Sequence, residues 1–175
     1  VGYDNVDVPA VTERGVVGTN TPGVLVDATA DLTLGLLLMV TRRLAEGERL
    51  LRAREPWTFH LGFMLGSGLQ GKTLGIVGLG GIGQAVARRA SAFGMDVVYT
   101  GRRQAPAEVE AELGARRLPL EELLRTADVV SLHCPLTEQT RHLIDRDALA
   151  AMKPTAYLVN TSRGPVVDEK ALAEA

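Results

Sequence analysis

From Thr73 onward the chain alternates short aliphatic runs with longer stretches in which apolar residues return every three or four positions. Short apolar runs bounded by turn formers read as buried strands, and the 3.6-residue period reads as helices with one apolar face. The pattern predicts strands at residues 73–77, 97–100, 129–132 and 156–160, and helices at 82–93, 107–113, 120–126, 146–152 and 169–174. In the first of these helices Ile82, Ala85, Val86, Ala90 and Phe93 make the apolar face, Arg88 and Arg89 lie elsewhere on the circumference, and Gly94 is a natural stop. Strands alternating with amphipathic helices imply a parallel sheet covered on both sides, an α/β doubly wound architecture.

Upstream, residues 28–54 hold good helix formers and no proline before Pro56, which predicts one long helix. Its most apolar stretch, 34–40, is far shorter than the roughly 20 residues of a membrane span and reads as a buried helix. Gly62, Gly66, Gly68 and Gly71 then mark a loop, a plausible joint between two structural units.

Chemistry enters after the first strand. Gly78-Leu79-Gly80-Gly81-Ile82-Gly83 fits G-x-G-x-x-G between an aliphatic strand and a helix, the context that dinucleotide binding requires. One glycine permits a sharp turn, another lets backbone approach a pyrophosphate, and a third lets helix pack on strand, so the sheet is of the Rossmann type. In such folds an acid about 20 residues past the glycines accepts hydrogen bonds from the ribose of NAD. Here the second strand ends in Tyr99-Thr100-Gly101-Arg102-Arg103. Two guanidinium groups replace the acid and suit a 2′-phosphate, which favours NADP(H) and leaves NAD(H) possible.

Composition adds mainly exclusions. Apolar residues make up 46% and charged residues 23%, as in soluble globular domains, and a net charge of -2 offers no general attraction to nucleic acid or an anionic membrane. A single cysteine, Cys134, excludes an internal disulfide framework and fits a reducing compartment, with the cytoplasm as the default. No second Cys or His stands at ligand spacing, so no metal site is expected. The opening Val1-Gly2-Tyr3-Asp4 has neither the basic start nor the apolar core of a secretory signal.

Five segments carry a resemblance along nearly the whole chain: Val1-Gly2-Tyr3-Asp4-Asn5-Val6-Asp7, Thr19-Asn20-Thr21-Pro22-Gly23, Leu74-Gly75-Ile76-Val77-Gly78-Leu79-Gly80, His133-Cys134-Pro135-Leu136-Thr137 and Asn160-Thr161-Ser162-Arg163-Gly164. Together they resemble the D-isomer-specific 2-hydroxyacid dehydrogenases, and the 99–103 stretch is most similar to the NADPH-preferring glyoxylate/hydroxypyruvate reductase branch. The resemblance implies that Arg163 binds the substrate carboxylate and polarises the keto oxygen. It implies that backbone N–H groups at Val1 and Gly2 reach that carboxylate, and that Pro135 and Thr161 line the cofactor. Gly81 replaces an arginine often present after the second glycine, a departure that removes one phosphate contact and leaves the backbone cradle.

By the same resemblance, residues 1–22 are the end of a flavodoxin-like substrate domain, 23–175 are the dinucleotide-binding domain, and the protein is a homodimer through the apolar helix near Val26. The family's proton donor, a histidine paired with a glutamate, lies beyond Ala175 in the family's order. His60, His133 and His142 read as structural or solvated and do not replace it, so these 175 residues alone are expected to bind cofactor at most. Two other readings stay open: a nucleotide-sensing module resembling the C-terminal-binding corepressors, against which Arg102 and Arg103 count, and a phosphoglycerate-type or formate-type dehydrogenase.

Overall fold

The computed structural model describes residues 2–175; Val1, expected in the substrate loop, lies outside the described residues. Five strands, β1 (Thr73–Val77), β2 (Asp96–Thr100), β3 (Ala115–Arg117), β4 (Val129–Leu132) and β5 (Tyr157–Asn160), form one sheet in the order β3-β2-β1-β4-β5. Every neighbouring pair is parallel. The helices are α1 (Val8–Glu13), α2 (Val26–Thr41), α3 (Leu44–Ala53), α4 (Gly81–Ala92), α5 (Ala107–Leu113), α6 (Leu120–Thr126), α7 (Arg146–Ala151) and α8 (Glu169–Glu174).

Alternation along each strand divides the core in two. Leu74, Ile76, Val97, Tyr99, Val129 and Val159 point to the face covered by α2 and α4, where Ala30, Leu34, Leu37, Ala85, Val86 and Ala90 meet them. Val77, Val98, Val130 and Leu132 point the other way, onto Leu123, Leu124 and Ala127 of α6 and its C-terminal cap, with Ala148 of α7 and the buried Ile144 and Val166. The α6 contact is close: a Cβ on Gly75 would lie 2.6 Å from Leu123 Cδ2 and 2.9 Å from the Ala127 Cβ. The strands end level, with Val77 paired to Thr100 and Leu132, and Leu132 to Asn160. The order reverses between β1 and β4, and ligands of open α/β sheets bind outside the strand ends at such a switch point.

The structure departs from the sequence reading at four places. The single helix expected over 28–54 is two helices, with Arg43 left-handed at φ 55° between them. Ser67 N–H donates to Thr41 O at 2.8 Å, and a Cβ on Gly66 would collide with that carbonyl, so the glycine-rich loop docks where the helix breaks. Nor is the apolar stretch of α2 buried all round. Ala30, Thr33, Leu34, Leu37 and Thr41 face inward, while Leu32, Met39 and Val40 are exposed in this chain. Finally, β3 is an edge strand of three residues, two of them exposed arginines, without an aliphatic run to announce it. The short α1 was likewise not expected; Asp7 caps it by accepting from Ala10 N–H at 3.0 Å.

Among the described residues no helix is long and apolar enough to cross a membrane, and no group of three or more His, Cys, Asp or Glu could hold a metal ion. Leu123 is fully buried, so Leu123→Ala should lower the free energy of unfolding by about 2–5 kcal/mol in urea titrations, through lost burial and the cavity left on β1.

Candidate functional site

The turn after β1 is shaped by two glycines. Gly78 has φ +100°, and a Cβ there would lie 2.9 Å from His133 O and Cys134 N, so β1 and the loop after β4 close on each other through a missing side chain. Gly83, in the first turn of α4, could carry no Cβ either, because it would run into Gly78 O. Gly80 differs: its backbone is extended (φ -80°, ψ -165°), and a Cβ built on it meets no atom within 4 Å. The fold leaves that space open. Gln84 N–H is the first to return to the helix, donating to Gly80 O at 2.9 Å, so the N–H groups of Gly81, Ile82 and Gly83 precede the helical ladder and carry its positive end. An open glycine before a helix N-terminus fits a pyrophosphate.

After β2, Thr100 and Gly101 are half-buried and Arg102 and Arg103 are exposed. Neither arginine has an ion-pair partner among the described residues. The loop beneath them is held from inside. The buried Tyr99 hydroxyl accepts from Ala105 N–H at 2.8 Å and donates to Glu110 at 2.6 Å, while Arg117 donates to Gly101 O at 2.8 Å. A groove of about 570 Å³ opens beside it, lined by Thr100, Gln104, Arg116, Arg117 and Pro119.

After β5, Asn160 organises the turn that carries Arg163. Its Oδ1 accepts from Ser162 N–H (2.9 Å) and from the Ser162 hydroxyl (2.7 Å), and its Nδ2 donates to Arg163 O at 2.9 Å. The Arg163 guanidinium donates from Nη1 to Ser162 O at 2.9 Å and from Nε and Nη2 to the Asp4 carboxylate at 3.0 Å each. Hydrogen bonds from Arg163 hold the Asp4 carboxyl below its usual range. Gly2 belongs to the same group: a Cβ on it would lie 2.9 Å from Arg163 Nη2.

The other candidates among the described residues close or follow the end of a strand. Gly78, Gly80, Gly81, Ile82 and Gly83 follow β1, Thr100 closes β2 with Gly101, Arg102 and Arg103 after it, Pro135 follows β4, and Thr161 and Arg163 follow β5. Parallel register brings segments more than 80 positions apart to one edge.

With that geometry in place, comparison with known families is decisive. The family model described as "D-isomer specific 2-hydroxyacid dehydrogenase, NAD binding domain" matches residues 34–175. The chain belongs to this family. A relative named glyoxylate reductase, from Thermococcus litoralis, is 52% identical over 179 residues, covering 100% of this chain and 54% of its own length. Among solved structures, the TT0316 protein from Thermus thermophilus is 54% identical with a TM-score of 0.93, covering 100% of this chain and 54% of that one. D-lactate dehydrogenase from Aquifex aeolicus, complexed with NAD and lactic acid, is 33% identical with a TM-score of 0.89, covering 99% and 51%. The chain thus spans about half the length of the relatives it matches.

The chain also contains a partly buried polar relay that its motifs do not announce. Thr33 Oγ1 donates to Thr29 O at 2.8 Å and lies 3.0 Å from Thr161 Oγ1; Thr161 Oγ1 is 3.4 Å from His133 Nδ1, and His133 Nε2 is 2.8 Å from Ser131 Oγ. Because each hydroxyl has one proton, the Thr33 bond to Thr29 sets the rest: Thr161 donates to Thr33, Nδ1–H donates to Thr161, and Nε2 accepts from Ser131. The relay ties α2, β4 and the turn after β5 together beneath the strand edge. Burial pushes the His133 imidazole down to about 4, so it is neutral at pH 7 and cannot act as a proton donor there. Cys134 is buried beside it, its thiol pushed up by burial.

Sequence reasoning missed Asp4, Tyr99, Thr33 and Ser131 as supports of this site. Asp4 lies within the motif at residues 1–7, but its partner is 159 positions away. A pH prediction follows from His133. Its folded value, about 4, lies below the ordinary 6.5, so the unfolded chain takes up the proton first. The contribution of the neutral ring is full above pH 6.5 and is lost as pH falls toward 4, on the order of 3 kcal/mol in total. Denaturant titrations from pH 7 to 4 should show wild type losing more stability than His133→Gln, and parallel losses would refute the assignment.

Proposed function

We propose that this chain is the dinucleotide-binding part of an enzyme that reduces a short 2-keto acid, of the glyoxylate or hydroxypyruvate kind, to the D-2-hydroxyacid with NADPH. One observation carries the reading: at the edge of the parallel sheet, an open glycine before the α4 N-terminus and the Arg163 guanidinium occupy the ends of strands in one register. The name of the Thermococcus litoralis relative supports the substrate class.

The cofactor supplies the hydride. The chain's own residues bind and stabilise. N–H groups of Gly81, Ile82 and Gly83 take the pyrophosphate, in the turn that Gly78 permits and the space that Gly80 leaves open; Thr100, Gly101, Arg102 and Arg103 take the adenosine ribose and its 2′-phosphate; Pro135 and Thr161 line the nicotinamide side. Arg163 binds the substrate carboxylate and meets the negative charge that develops on the keto oxygen, an oxyanion-type role. Val1 and Gly2 contribute backbone N–H groups to the carboxylate. The proton donor is assigned to the histidine–glutamate pair of the family, outside these 175 residues. Residues 1–22 are then the end of a flavodoxin-like substrate domain and 23–175 the cofactor domain.

Two further parts of the proposal rest on the surface. Leu32, Met39, Val40, Leu44, Leu51 and Phe59 are exposed on and after α2 and α3, an apolar area that fits a homodimer interface. The single cysteine and modest charge fit a cytoplasmic enzyme without nucleic-acid or membrane partners.

Parallel titrations with NADPH and NADH, followed by nicotinamide fluorescence, test the cofactor reading. One good Arg–phosphate contact contributes about 1.5–3 kcal/mol, so NADPH should bind about tenfold to a hundredfold tighter than NADH and Arg102→Asp should erase the difference. Tighter NADH binding would overturn the NADPH assignment. Binding of neither would overturn the cradle within this chain. Sedimentation should give a dimer at micromolar concentration, and a stable monomer would refute the interface.

A further inference from the structure

A guanidinium carries five N–H donors in a rigid planar fork. Asp4 fills one edge of the Arg163 fork, with Oδ2 3.0 Å from Nε and Oδ1 3.0 Å from Nη2. Ser162 O takes a third donor, on Nη1, at 2.9 Å. Two donors remain among the described residues, one on each terminal nitrogen. Gly2 makes the approach possible, since a Cβ there would lie 2.8 Å from Asp4 Oδ1.

The Arg163 side chain is 41% exposed and that of Asp4 28%. At such exposure water screens the attraction, so the pair is a poor device for stability. It is a better one for geometry. An arginine side chain left to itself samples many rotamers, and a carboxylate gripping Nε and Nη2 removes that freedom before any substrate arrives. A 2-keto acid presents a carboxylate oxygen and a keto oxygen on adjacent carbons, a spacing that two parallel N–H donors can meet.

We propose that Asp4 is a positioning residue for 2-keto acid reduction, holding Arg163 side-on so that its terminal edge, Nη1 and Nη2, faces the carboxylate and keto oxygen of the substrate. The proposal rests on Arg163 being the partner of the substrate carboxylate. Asp4 touches neither substrate nor cofactor. It acts through the angle at which Arg163 is presented, and it links the segment before α1 to the turn after β5, so the two halves of the carboxylate site are held by one ion pair.

The test compares Asp4→Asn, Asp4→Glu, Arg163→Lys and the Asp4→Asn/Arg163→Lys double variant in the full-length enzyme, with glyoxylate as substrate and NADPH binding followed by fluorescence. Misplacement of a catalytic group by about 1 Å costs roughly a hundredfold, so Asp4→Asn should lower kcat/KM for glyoxylate by about tenfold to a hundredfold, with kcat down and KM up. NADPH affinity should stay unchanged, Asp4→Glu should recover part of the loss, and the double variant should lose little beyond Arg163→Lys alone. An Asp4→Asn enzyme with unchanged or raised kcat/KM, or losses that simply multiply in the double variant, would overturn the positioning role while leaving Arg163 in place. An Arg163→Lys enzyme with full turnover would overturn the reading of Arg163 itself, and with it this inference. Should Asp4→Asn fail to fold, Asp4→Ser reads the same comparison.

Discussion

Strand β1 and helix α4 can meet as closely as they do only because Gly83 has no side chain to set against Gly78 O. From that contact the placement of the α4 N-terminus follows, and with it the direction in which three unladdered N–H groups point. Gly78 then closes the turn against His133 and Cys134, which fixes the loop after β4 relative to the helix end. The remaining strand ends are brought level by parallel pairing, so the turns after β1, β2, β4 and β5 gather along one rim although they lie far apart in sequence. Relaxing the first contact would move the helix, and the rim would lose its alignment.

Charge and neutrality are divided across that rim. Outside, Arg102 and Arg103 are exposed and without ion-pair partners among the described residues, and Arg163 is paired but keeps donors to offer. Inside, the buried and half-buried groups that help hold the loops are neutral: the Tyr99 phenol, the Thr33–Thr161–His133–Ser131 relay and the Asn160 amide. Burial of uncharged donors and acceptors that satisfy one another is far less costly than burial of ions. The interior therefore supports these turns without burying a charge, and the one carboxylate that grips Arg163, Asp4, lies toward the surface.

Much of this was legible because local chemistry and global fold agree after Thr73. The β1–α4 unit announces itself through aliphatic run, glycines and apolar period, and four of the five strands were anticipated within a residue. What escaped notice depends on distant partners. The break after Thr41 is imposed by Ser67 N–H and the close approach of Gly66, which no helix propensity within 28–54 could reveal. Strand β3 has a single buried residue, Ala115, and exists because Val97, Val98 and Tyr99 offer it an edge. Arg163 was singled out by its motif; the grip of Asp4 on it was not foreseen, because an isolated aspartate gives no sign of a guanidinium folded onto it.

In the proposed function, the turn after β1 holds the pyrophosphate of a nicotinamide dinucleotide in space the fold leaves open at Gly80. Gly80→Val tests it most directly, because the extended backbone accepts valine and a Cβ there meets no atom within 4 Å. Losing glycine at a helix N-cap costs about 1 kcal/mol, so the thermal midpoint should fall by only about 2–4 °C. Dinucleotide binding, measured by nicotinamide fluorescence, should be abolished. A variant that keeps its fold and binds NADPH or NADH as tightly as wild type would show that the pyrophosphate lies elsewhere.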